Sequence, residues 1–330
     1  MNTPGPAAAV AQAGGNTRLA FILVTSLFFM WGLSYGLLDV LNKHFQETLS
    51  ITRARSGLLQ MAYFGAYFLM ALPAAMLMNR RGYKTGILLG LFLFAAGALL
   101  FIPATAAARF EFFLFALFVI ACGLACLETA ANPYVTFLGA PEKSEQRLNL
   151  SQSFNGLGSF VGPIIGGAVF FSGGDRQGGV QTTYVAIAAA VALIAVLIAR
   201  TPMPYIREET VSSQDAAARP LRGQRHLIFA VVAQFFYVAA QVGIGAFFIN
   251  YVTEQARGIS SQNAAYLLSV GMLCFLAGRF LGTALMSRIA PATLLCAYAA
   301  INVALSLVVV AGVGTISVVA LIAAFFFMSV

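Results

Sequence analysis

Ten apolar runs of roughly membrane-spanning length divide this chain, and they leave it few folds to choose from. They fall at 19–42, 56–78, 85–104, 110–138, 148–172, 180–199, 225–252, 263–286, 291–311 and 314–330. A bilayer core is crossed by about 20 apolar residues in a helix. Lipid offers no hydrogen bonds, so a spanning segment must satisfy its own backbone, as a helix or in a closed barrel. The period-two alternation of a barrel is missing, and helices remain. Charge agrees: Asp, Glu, Lys and Arg make up 9% of the 330 residues, against about 25% in a soluble domain. The fold class is an all-α membrane protein.

The basic residues set the orientation expected. With the N-terminus inside, twelve of the 19 Lys and Arg fall on the cytoplasmic side, six fall outside, and Arg279 lies within a span. This is the positive-inside pattern. It also explains the net charge of +8 without a nucleic-acid partner. Residues 1–17 are rich in Ala, Gly and Pro without a signal peptide's basic start, and read as a disordered cytoplasmic tail. Residues 18–200 read as an N-terminal six-helix bundle, 201–224 as a charged cytoplasmic linker and 225–330 as a partial C-terminal bundle. Two six-helix halves joined by such a linker is a transporter layout. The second half holds about four of its six spans, and the expectation includes the alternative of an inactive truncated carrier. The second span of each half carries loosely similar text, Gly57–Gly82 and Tyr266–Pro291.

Two acids lie within spans, Asp39 in the first and Glu128 in the fourth. A charged residue at a helix centre costs roughly 2.5–3.5 kcal/mol on insertion scales, so such residues commonly mark a pathway. A carboxyl group withdrawn from water favours its neutral form, which suits a group that loads and releases a proton. The competing use is an ion pair with Arg279 that serves packing. Asn132 stands four residues after Glu128, on the same helix face, and Pro133 loosens the helix beyond it. Gln152 and Asn155 in the fifth span, and Gln234 and Gln241 in the seventh, must point inward, to bind cargo or to join helices. Trp31, Tyr35, Phe154 and Tyr237 offer aromatic faces, for a sugar or for packing. The run Gly158–Gly167, GSFVGPIIGG, makes a small-residue face for close helix contact. The four cysteines, 122, 126, 274 and 296, lie in apolar runs and form neither a disulfide framework nor a metal site. No phosphate-binding loop, zinc-protease or serine-hydrolase signature occurs, which leaves enzymatic and ATP-driven readings unsupported. No filter loop or ring of acids suggests a channel.

The turn Ala75–Lys84, AMLMNRRGYK, resembles the loop motif between spans two and three of the major facilitator superfamily, with Ala75 and Asn79 in place of the usual Gly and Asp. GSFVGPIIGG resembles that family's fifth-span glycine motif. FFMWGLSYGLLDVLNKHFQ (28–46), CLETAANPYV (126–135), RLNLSQSFNGLG (147–158) and AQFFYVAAQVG (233–243) resemble its fucose–galactose–glucose proton symporter branch. That resemblance implies a major facilitator fold and a proton-coupled importer of a monosaccharide working by alternating access. It implies proton coupling by Asp39 and Glu128. With the residue reading, it gives cargo contacts at Glu128, Asn132, Gln152, Asn155, Gln241, Tyr35 and Tyr237. The fucose members carry asparagines just before the first-span acid. Tyr35, Gly36 and Leu38 stand there instead, so glucose and galactose stay open beside L-fucose. The expected setting is a bacterial inner membrane, as a monomer, with the proton as coupling ion and no cofactor or metal. A proton-coupled exporter of drugs or lipids is the rival function.

Overall fold

A computed structural model describes residues 17–140, 143–171, 176–204, 225–256, 258–286 and 288–329. Nearly all of the expected tail, and linker residues 205–224, lie outside these. Ten long helices follow one another: α1 (Thr17–Thr48), α2 (Leu58–Arg81), α3 (Tyr83–Leu99), α4 (Phe110–Phe137), α5 (Ser144–Phe170), α6 (Arg176–Arg200), α7 (Arg225–Gln255), α8 (Ser261–Leu285), α9 (Pro291–Ala311) and α10 (Thr315–Phe327). Short helices precede α2 (Arg53–Ser56) and extend α3 (Phe101–Ala107). No strand occurs among the described residues. Among the described residues, nine helices are long and apolar enough to cross a membrane, and α10 is a shorter apolar helix. All ten expected runs are therefore helical, with ends displaced by a few residues, and α4 runs on through Pro133.

Helices α1–α6 form one bundle and α7–α10 a second, and they meet along α5 with α8 and along α1 with α7. The glycine run brings α1 and α5 together. A Cβ on Gly158 would stand 2.2 Å from the Phe29 carbonyl oxygen, and one on Gly32 would stand 1.9 Å from that of Asn155. No larger residue fits at either place, so the backbones touch and fix the rotation of α5 on α1. The faces of α5 that bear Gln152 and Asn155 are set by that contact.

Charge caps the helices at the linker end. Lys84 Nζ donates to the carbonyls of Ala199 (3.1 Å) and Thr201 (2.8 Å) at the end of α6. Arg147 donates to those of Val135 (3.2 Å), Thr136 and Ala140 (2.8 Å) at the end of α4. Basic side chains belong at helix C-termini, where carbonyls lack partners.

At the opposite end the bundles are tied. Gln46 Nε2 donates to Asn42 Oδ1 (2.8 Å) and Ser56 Oγ (2.9 Å), and its Oε1 accepts from Asn250 Nδ2 (2.6 Å). Ser261 Oγ donates to Glu47 (2.5 Å), and Arg53 pairs with Glu254. Toward the linker end, residues 227–236 of α7 are exposed throughout. The two bundles thus close at the end away from the linker and part toward it.

Candidate functional site

A cavity of about 310 Å³ lies between the bundles, within the range of about 300–1,000 Å³ usual for small-molecule sites. Its wall is built from both bundles. Helix α1 supplies Trp31 and Tyr35, α2 supplies Tyr63 and Tyr67, and α4 supplies Glu128. Helix α5 adds Gln152, Asn155 and Ser159. The second bundle contributes Gln241 and Gly245 from α7, Phe275 and Arg279 from α8, and Phe325 from α10.

Glu128 faces this space half-buried, and no hydrogen bond or ion pair joins it to another described residue. The competing arrangement, a packing pair with Arg279, is not formed. The Arg279 guanidinium lies 5.3 Å over the Phe275 ring. The amides around Glu128 are held from behind. Gln152 Nε2 donates to Asn132 Oδ1 (3.0 Å), and Asn155 Nδ2 donates to the Phe28 carbonyl (3.3 Å). No donor among the described residues reaches the side-chain carbonyl oxygen of either.

Asp39 lies elsewhere. It is buried, and its Oδ1 accepts from Gln60 Nε2 (3.1 Å). Its Oδ2 finds no donor among the described residues. A Cβ on Gly245 would stand 2.8 Å from that oxygen, so a glycine of the cavity wall is what separates Asp39 from the cavity.

Of the seven expected cargo residues, Tyr35, Glu128, Gln152, Asn155 and Gln241 come together on one wall. Asn132 does not line it and instead holds Gln152. Tyr237 does not line it either, because its hydroxyl donates to the Met328 carbonyl and ties α7 to α10. Phe154 is 39% exposed and off the wall, while Gln234 lines a separate apolar groove between α2 and α7. Gln60, Tyr63 and Tyr67 were missed. They stand three and four residues apart on an otherwise apolar helix, a polar stripe that marks an inward face.

The sequence profile of the Major Facilitator Superfamily matches residues 19–330. The chain belongs to that superfamily. Like other members, it is a multi-pass membrane protein, with nine helices of spanning length and apolar composition among the described residues. It is 38% identical over 351 residues to the L-fucose-proton symporter of Escherichia coli (strain K12), covering 98% of this chain and 80% of that one. It is 35% identical over 309 residues to the glucose/galactose transporter of Brucella abortus biovar 1 (strain 9-941), covering 92% and 75%. The crystal structure of the E. coli fucose:proton symporter superposes with a TM-score of 0.70 at 37% identity, over 95% of this facilitator and 82% of that chain.

Proposed function

We propose that this facilitator imports a monosaccharide together with protons by alternating access. The observation that carries the reading is the meeting of Glu128 with three amides, four indole or phenol rings and a guanidinium on one small cavity between two bundles. A sugar presents hydroxyls that both donate and accept. Amides and a protonated carboxyl match both roles, whereas a carboxylate only accepts. The rings of Trp31 and Tyr35 take the sugar's apolar face. The relatives named for L-fucose and for glucose and galactose support this cargo class.

Glu128 and Asp39 divide the proton work in this reading. Glu128 touches cargo and passes its proton on release. Asp39, with Gln60 as its donor, holds charge or proton out of contact with cargo. The protein sits in a bacterial inner membrane in this reading; the excess of arginine and lysine supports a cytoplasmic linker end, and the parted bundles then correspond to an inward-facing state. Loading must favour one facing state over the other for the turn to occur. The carrier works as a monomer, with no cofactor or metal and no covalent chemistry.

A pH electrode on proteoliposomes, challenged with fucose, galactose and glucose in turn, tests the reading. One of these sugars alkalinises the outer medium as it enters. Silence with all three, alongside proton movement driven by a hydrophobic amine, would replace a sugar importer with an exporter.

A further inference from the structure

A second recess, of about 420 Å³, lies at the linker end and shares no wall residue with the central cavity. It is lined by Thr17, Arg18, Phe21 and Ile22 of α1, Leu138 just after α4 and Arg147 of α5. We propose that it binds the phosphate of an anionic phospholipid, with the acyl chain lying along α1.

The charge argument comes first. The recess holds two guanidinium groups from different helices, and neither has a carboxylate partner among the described residues. Arg147 is already fixed. Three of its N–H groups hold the carbonyls that end α4, at Val135, Thr136 and Ala140. A guanidinium has five such donors, so two remain, one on each Nη. A donor pair held in place loses little freedom when it meets an anion. Arg18 is exposed and supplies the second charge.

The apolar wall then chooses the source of the phosphate. Phe21, Ile22 and Leu138 continue the recess toward the apolar belt, and Ile22 is 62% exposed. A free phosphate gains nothing from that wall. A phospholipid places its headgroup on the arginines and its chain on Ile22, in the manner of basic pockets between spans at a membrane surface.

Native mass spectrometry of the full chain, stripped and then re-lipidated, reads this without transport, so the result is independent of the cargo reading. Expected is retention of phosphatidylglycerol over phosphatidylcholine, reduced about fivefold by Arg18→Gln, the loss of one surface charge. Arg147→Gln would uncap α4, so Arg147→Lys is the second variant, and it too should lower retention. Inorganic phosphate in excess should not displace the lipid. Equal retention of the two lipids, or an unchanged preference in both variants, would overturn the site. Displacement by inorganic phosphate would overturn the lipid assignment in favour of a free anion.

Discussion

The two membrane acids sit in opposite surroundings. Glu128 opens onto a polar cavity with uncommitted amide oxygens around it, and Asp39 is packed behind Gly245 with a single amide donor. The same functional group can meet cargo in the first place and cannot in the second. A carrier that moves a solute and a proton together has use for both environments. In the proposed cycle one acid senses whether the site is filled, and the other keeps its proton equilibrium apart from the solute.

The sharpest way to break this contrast is to compare sugar affinity after removing each acid. Glu128→Ala should weaken sugar binding by about 5- to 100-fold, because it leaves cargo hydroxyls without their partner in a buried site, a cost of about 1–3 kcal/mol. Asp39→Asn should stay within about twofold, because the side chain keeps its shape and lies off the wall. Calorimetric titration decides it, and equal losses would mean that the two acids share one site.

Gln60→Leu probes the sealed side alone. It removes the donor of Asp39 and leaves a buried carboxyl bare, a cost of about 1–3 kcal/mol. Uphill uptake should slow about tenfold while sugar affinity holds. A lost affinity with normal uptake would put Gln60 in the cargo site instead.

Helices and bundle order were legible because lipid imposes one solution on any apolar run of sufficient length. The glycine face of α5 was legible because small residues four apart have one structural use in a span. The division of labour among the polar residues was not. An amide in a membrane helix must point inward whether its partner is a sugar or a neighbouring helix, and Asn132 and Tyr237 chose neighbours. Gln60 meets Asp39 across 21 residues of sequence, a distance at which helix period says nothing.

The tied end of the bundles admits a smaller test. Asn250→Ala removes one donor from the Gln46 node and so loosens the end away from the linker. The loss of about 1 kcal/mol should raise the fraction open at that end about fivefold, as read by distances between spin labels on α2 and α8. An unmoved distribution would show that close helix contact, rather than this polar node, holds the end shut. The smallest effect belongs to Asn132→Ala. It frees Gln152 and should weaken sugar binding about threefold, roughly 0.5–1 kcal/mol. A tenfold or larger loss would return Asn132 to direct cargo contact.

Paired uptake assays on Glu128→Gln proteoliposomes bear most directly on proton coupling through this carboxyl. Sugar should still exchange across the membrane at equal concentrations, while accumulation driven by a proton gradient disappears. Uphill accumulation at the unaltered level would contradict a coupling role for Glu128.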